Sequence, residues 1–117
     1  MNGLTSFGRL ISDPTRLKII KLLLTKTMCV CELIEVLKVN QPCISQHLSI
    51  LKYHHLLKSQ RDGKWIEYEI DSQAFQRYLS EVDDFIKQPL IKIPVLKRES
   101  RRLAALKNRR ILCKKCK

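Results

Sequence analysis

Residues 27–48, "TMCVCELIEVLKVNQPCISQHL", contain two short helical patterns separated by a tight turn. The first pattern covers roughly Val30 to Leu37, and "KVN" then supplies the turn. The second pattern begins at Gln41, where Pro42 suits the first turn of a helix. Its buried stripe would consist of Ile44, Leu48 and Leu51. Two short helices joined by three or four residues are typical of a helix-turn-helix.

Another helix is predicted before this pair. Asp13 is a typical N-cap, and Pro14 is a typical first helical residue. The apolar residues that follow recur at helical spacing, so we expect them to face the core: Leu17, Ile20, Leu23 and Leu24.

After Leu56 the spacing of apolar residues changes from that of a helix to that of a strand. In "WIEYEI", residues 65–70, one face of a half-buried strand would carry Ile66, Tyr68 and Ile70. The preceding "LLKSQR" can pair with it, because Asp62-Gly63 supplies the positive φ that a two-residue hairpin turn needs. The sequence therefore predicts a mainly α fold with one small β-hairpin. This is a winged helix-turn-helix, with Arg61 and Lys64 at the tip of the wing.

A last long helix would begin at Ser72, a good N-cap, and carry an apolar stripe of Phe75, Tyr78, Leu79, Val82, Phe85 and Ile86. The central helices already fill a core this small, so this stripe and the apolar segment 3–11 are left for a partner. We therefore predict a homodimer built by the first and last helices. Its interface would include Leu4, Phe7, Phe75, Leu79, Val82 and Ile86. The alternative is that the last helix folds back on its own domain.

The chain has 117 residues, enough for one domain and too few for two ordinary ones. We expect residues 1–88 to form the DNA-binding and dimerisation domain. Pro89 and Pro94 would then end regular structure before a basic, cysteine-containing tail over residues 89–117. The net charge is +12, and residues 97–117 alone contribute ten Lys or Arg against Glu99, a net of +9. Such a charge points to a polyanionic partner, usually nucleic acid.

No apolar run approaches the length of a membrane span, and the N-terminus lacks the features of a signal peptide, so we expect a cytoplasmic protein with no membrane partner. Thiols stay reduced in that compartment. Five cysteines therefore indicate metal binding or redox chemistry more readily than structural disulfides. The alternative is that they are small apolar core residues.

The second helix of the pair has a polar flank near its N-terminal end. If Ile44, Leu48 and Leu51 point inward, the opposite flank carries Gln41, Pro42, Ser45, Gln46 and Ser49. Short polar side chains at this position can enter the major groove of DNA, where Gln suits adenine. His47 lies beside the buried stripe, so it is either a DNA contact or a boundary histidine with partners inside the protein.

In this order, "CVCEL", "QPCISQHLSIL" and "GKWIEYEI" resemble the ArsR/SmtB family of winged-helix repressors, over about Leu10 to Ile86. The resemblance implies that Gln41, Ser45, Gln46 and His47 face operator DNA. It also implies that "CVC" is an inducer site for trivalent arsenic or antimony, or in some members for cadmium, lead or zinc. Members with a third cysteine would place it one turn after the second, where this chain has Ile34.

Cys29 and Cys31 would lie about 200° apart around a regular helix, so both sulfurs can face one ion only where the backbone is extended or distorted. We therefore expect ion binding to disturb the helix. The third ligand is open between Cys43 and the tail pair Cys113 and Cys116. A set of Cys29, Cys31, Cys113 and Cys116 would also suit zinc or cadmium. Alternatively, the tail cysteines are incidental to a disordered basic arm.

The sequence shows no catalytic constellation, so we predict a homodimeric repressor rather than an enzyme. It would bind operator DNA when metal-free and dissociate when a thiophilic ion occupies Cys29 and Cys31. One rival keeps this scaffold and makes the cysteines a switch for oxidation or persulfide. Another is an architectural protein whose basic tail binds DNA with little regard to sequence.

Overall fold

The computed structural model describes residues 2–106. Five α-helices and one hairpin occupy residues 2–87: α1 (Asn2–Ser12), α2 (Pro14–Thr25), α3 (Val30–Leu37), α4 (Gln41–Tyr53), β1 (Leu57–Asp62), β2 (Trp65–Ile70) and α5 (Ser72–Lys87). Two 3-10 turns follow at Leu90–Lys92 and Pro94–Leu96, and then α6 (Lys97–Ala105). The predicted winged helix-turn-helix is confirmed, with α3 and α4 as its helix pair and the two antiparallel strands as its wing.

The chain divides into two compact units, residues 2–81 and residues from 82 onward. The first unit has a continuous apolar core, to which α2, α3, α4 and the hairpin contribute. Its fully buried side chains include Leu10, Ile19, Ile20, Leu33, Ile44, Leu51 and Leu56. The predicted stripe of α4 is confirmed, because Ile44, Leu48 and Leu51 are all buried.

The predicted core face of α2 was partly wrong. Ile20 and Leu23 are buried, but Leu17 and Leu24 are exposed, and Ile19 is buried instead. At about 100° per residue, Leu17 and Leu24 lie roughly a quarter-turn or more around the axis from the centre of the buried residues. Apolar spacing had identified the helix correctly, but not the centre of its packed face.

The hairpin turn lies one residue later than predicted. Asp62 pairs with Trp65, so the two loop residues are Gly63 and Lys64, and Gly63 has φ +61°. A positive φ at the first loop residue alone is typical of a type II′ turn. Ile66 is also exposed, against expectation, because only the end of β2 near Ile70 reaches the core.

The helix α5 is capped by Asp71 rather than by Ser72. The backbone N–H of Ala74 donates to Asp71 Oδ1 at 3.2 Å. The helix α1 packs against the first two turns of α5 through aromatic rings. The Phe7 ring lies 5.2 Å from that of Tyr78 and 5.6 Å from that of Phe75, and Phe7 is 4% exposed.

Because of these contacts, only some of the predicted interface residues are exposed and available to a partner. Phe7 is buried within its own chain, as in the alternative where α5 folds back on its domain. Leu4, Phe75 and Val82 are half-buried, while Leu79 is exposed and Ile86 is 74% exposed. The homodimer stays a prediction.

In the second unit, regular structure continues beyond Pro89 and Pro94. Pro89 precedes the first 3-10 turn and Pro94 begins the second, and α6 then presents Lys97, Arg98, Arg101 and Arg102 to solvent. The expectation that the prolines end regular structure was therefore wrong for residues 90–105. Cys113 and Cys116 lie outside the described residues, and the predicted division at residue 88 stays a prediction. Within residues 2–106, no helix is long and apolar enough to cross a membrane.

Candidate thiolate site and nucleic-acid interface

Cys29 and Cys31 are neighbours in space because α3 begins between them. Cys29 is the N-cap, with extended backbone at φ −89° and ψ 168°, and Cys31 lies in the first turn. Their sulfurs are 2.9 Å apart. Cys29 lies just outside the helix on extended backbone, which is one of the two conditions under which both sulfurs could face one ion.

The backbone around the pair is held by Glu32. The N–H of Cys29 donates to Glu32 Oε1 at 3.0 Å, and Lys26 Nζ lies 3.9 Å from the other carboxylate oxygen. The hydrogen bond from Cys29 lowers the pKa of Glu32. The hydrogen bond with Cys31 is the main reason that the pKa of Cys29 is raised. An incoming ion must therefore displace a proton from Cys29 at neutral pH.

The donor chemistry of the pair fits a soft ion, but the described residues supply only two sulfurs. Two thiolates on one tetrahedral zinc stand about 3.8 Å apart, so the sulfurs, now 2.9 Å apart, would have to separate. Within residues 2–106, no group of three His, Cys, Asp or Glu side chains is placed to hold a metal ion. Cys43 therefore does not complete the site in this conformation.

The thiol pair opens into a cleft of about 340 Å³ that it shares with predicted DNA-binding residues. Gln41, from the start of α4, lines one side, and Lys64 from the tip of the wing lines another. Trp65, which the sequence did not indicate as a site residue, also lines the cleft. Gln41 and Lys64, two of the predicted DNA-binding residues, thus lie beside the thiol pair.

Main-chain hydrogen bonds tie the wing to the residue before Cys29. The N–H of Met28 donates to the carbonyl of Tyr68 at 3.0 Å, and the N–H of Tyr68 donates back at 2.8 Å. Met28 is thereby added as a one-residue third strand beside β2. A displacement of Cys29 would act directly on the wing.

The predicted reading face of α4 is accessible. Asn40 caps the helix, accepting from the N–H of Cys43 at 3.0 Å through its side-chain oxygen. Of the predicted residues, Gln41, Pro42, Gln46 and Ser49 are exposed, and Ser45 is half-buried. Arg61 and Lys64 are exposed on the wing.

His47 has partners inside the protein. Its side chain is only 12% exposed, and its Nε2 lies 3.6 Å from Asp13 Oδ1. Arg16 Nε donates to His47 Nδ1 at 3.3 Å. These contacts link the start of α2 to α4 and favour the boundary histidine of the two alternatives, while the DNA contact stays a prediction. No local pattern indicated Arg16 as a partner of His47, since the contact joins residues 31 positions apart.

Residues 13–59 match the family described as bacterial regulatory protein, arsR family. An uncharacterized HTH-type transcriptional regulator of Methanocaldococcus jannaschii is 44% identical over 73 residues, which cover 62% of this chain and 82% of that protein. The arsenical resistance operon repressor of Escherichia coli is 41% identical over 64 residues, 53% of this chain and about half, 54%, of that repressor.

A solved structure agrees with these relatives. The crystal structure of a possible transcriptional regulator for arsenical resistance superposes with a TM-score of 0.60 at 26% identity, covering 73% of this chain and 84% of that one. The prediction of a transcriptional regulator rather than an enzyme is confirmed by the family match. The chain therefore belongs to the ArsR family of winged-helix transcriptional repressors.

Proposed function

We propose that this repressor binds its operator as a homodimer and releases it when trivalent arsenic or antimony binds Cys29 and Cys31. The observation that carries the proposal is the shared cleft, which Cys29, Cys31, Gln41 and Lys64 all line. An ion bound there changes the surroundings of groups that would contact DNA. Two relatives named as regulators of arsenical resistance support arsenic as the inducer.

The DNA contacts would come from two elements. Gln41, Pro42, Ser45, Gln46 and Ser49 on α4 would read or approach base edges in the major groove, and Arg61 and Lys64 would hold phosphates beside it. His47 would act indirectly, by fixing α4 against Asp13 and Arg16. The exposed basic side chains of α6 and the rest of the tail would add affinity that depends little on sequence.

Release would follow from movement at Cys29. The sulfurs, 2.9 Å apart, must separate to share one ion. Cys29 follows Met28, whose main chain is paired with Tyr68, so the displacement passes to the wing. A coupling of about 1 to 3 kcal/mol between ion and DNA would weaken operator binding roughly 5- to 150-fold.

The test is a titration of the operator complex with arsenite, antimonite, cadmium, lead and zinc, together with the mass of the free protein in solution. Release by arsenite and antimonite from a protein of twice the chain mass is expected. Zinc, cadmium or lead as the stronger inducer would instead favour a thiolate set completed by Cys113 and Cys116. A monomer that binds the operator with full affinity would contradict the proposed dimer.

A second candidate, a thiol redox switch, is favoured by the short distance between the sulfurs. A disulfide has an S–S length of about 2.05 Å, and the two sulfurs are already 2.9 Å apart. The reduced protein would then ignore arsenite and lose DNA on mild oxidation or persulfide treatment. The same operator titration, run with and without oxidant, separates the two candidates.

A further inference from the structure

The cleft beside the thiol pair is lined mainly by apolar side chains. Val30 and Ile34 come from α3, and Trp65, Ile66 and Tyr68 come from β2. Its volume of about 340 Å³ lies within the range of about 300 to 1,000 Å³ typical of small-molecule sites. Arsenite carries only hydroxyl groups, so it would leave these apolar walls unused.

The number of sulfurs also indicates a ligand with an apolar part. Trivalent arsenic forms three bonds, and within the described part of the chain Cys29 and Cys31 are joined by no third ligand. When one of the three bonds is already to carbon, two thiolates complete the coordination. The carbon substituent must then occupy space beside the sulfurs, where the apolar walls lie.

We propose that the cleft receives the organic group of a monosubstituted trivalent arsenical, R–As(OH)₂, with an aryl group preferred and Trp65 as the wall that selects it. The assignment rests on the proposed role of Cys29 and Cys31 as the inducer site. Two As–O bonds break and two As–S bonds form, and each thiol proton leaves with a hydroxide as water. The As–C bond stays intact and arsenic stays trivalent, so no oxidant or reductant is needed.

Trp65 suits this role because its ring is not part of the core. It is the single tryptophan of the chain and is 53% exposed, with Lys64 Nζ 6.0 Å from the ring centroid. A planar aryl group against an indole buries apolar area from both partners and gains ring stacking. We expect this to favour phenyl over methyl by about tenfold or more.

The experiment uses the full chain carrying Cys113→Ser and Cys116→Ser, so that the thiols are those of Cys29, Cys31 and Cys43. Calorimetry gives the affinities for hydrated phenylarsine oxide, for methylarsonous acid and for arsenite. The phenylarsine adduct should protect two thiols from a thiol reagent and leave one reactive. The central quantity is the ratio of the affinity for the phenyl compound to that for the methyl compound. Both compounds form the same two As–S bonds, so the free energy of bond formation largely cancels in this ratio.

Trp65→Ala should lower that ratio by about threefold to tenfold while changing the arsenite affinity less than about twofold. Trp65→Phe should keep most of the ratio, because a ring remains. The control is Tyr53→Ala, which removes an aromatic ring that is 79% exposed and does not line the cleft. It should leave the ratio unchanged.

An unchanged ratio in Trp65→Ala, or equal loss in Tyr53→Ala, would overturn the assignment. Operator release is measured separately, by fluorescence anisotropy of labelled DNA. Normal release by arsenite with an unchanged ratio refutes the aryl subsite alone. A ratio that depends on Trp65, without release by any arsenical, supports the subsite and contradicts the proposed function.

Discussion

Gln46 and His47 are adjacent on the recognition helix α4, but their surroundings predict different consequences for substitution. Gln46 is exposed on the face that would enter the groove. Gln46→Ala should remove a base contact and weaken operator binding by about 1 to 3 kcal/mol, with little effect on random DNA or on folding. His47→Ala should mainly lower the free energy of unfolding, because it removes a link between two helices.

The size of the His47 effect follows from its contacts. The substitution deletes the hydrogen bond from Arg16 Nε, at 3.3 Å, and the packing of a side chain that is 12% exposed. Together these should cost about 1 to 3 kcal/mol of stability. For the compact unit of residues 2–81, each kcal/mol lowers the unfolding midpoint by about 4 to 8 °C.

Two assays separate these roles. Fluorescence anisotropy at fixed salt, on an operator duplex and a scrambled duplex, measures specific and non-specific binding, and circular dichroism follows thermal unfolding. Equal loss by Gln46→Ala on both duplexes would reject its base-reading role. If His47→Ala kept wild-type stability and lost only operator binding, His47 would be a DNA contact after all, and the positioning role would be refuted.

Three further predictions concern the tail and two helix caps. Deleting residues 97–117 removes a net +9 and should flatten the dependence of log affinity on log salt concentration, measured by anisotropy; an unchanged slope would mean that the tail does not touch DNA. Asn40→Ala should cost about 1 kcal/mol of stability in chemical denaturation, whereas Asn40→Ser should cost little, and equal effects would reject the cap. The hydrogen bond from the backbone N–H of Arg16 lowers the pKa of Asp13. The stability that the Asp13 carboxylate contributes is therefore complete above the ordinary aspartate pKa and is lost as pH falls through the lowered one. The Asp13→Asn variant should lose less stability than the wild type over that acid range, and an identical pH profile would show that Asp13 does not contribute.

Local sequence signals predicted most of the helices because their causes are local. The start of α2 follows from Asp13 and Pro14, and the start of α4 from Pro42. Where two neighbouring residues offered the same local chemistry, the prediction failed by one position. Asp71 and Ser72 are both good caps, and Gly63 can serve at either central position of the hairpin turn.

The candidate site depended on contacts that the local sequence does not contain. The extended backbone at Cys29 follows a main-chain pair between Met28 and Tyr68, residues 40 positions apart in the chain. Helical spacing therefore placed the two sulfurs on opposite sides of a helix, although they are 2.9 Å apart. The main-chain pairing of Met28 with Tyr68 also brings Trp65 beside α3. The cleft depends on this long-range contact and so could not be predicted from the sequence.

The proposed coupling of an ion at Cys29 and Cys31 to DNA release is tested most directly by the double substitution Cys29→Ser, Cys31→Ser. Serine is nearly isosteric and is a favoured N-cap, so α3 should remain folded. Anisotropy should show operator affinity within about twofold of wild type, because neither sulfur is proposed to contact DNA. Arsenite should no longer cause release, since a neutral hydroxyl is a poor ligand for a soft ion.

Cys43→Ser is the matched control and should still be released by arsenite as the wild type is. In the double variant, the measurement is the arsenite concentration that frees half of the operator. No release is expected at concentrations that free the wild-type protein completely. Release of the double variant at the wild-type concentration would contradict the proposed role of Cys29 and Cys31.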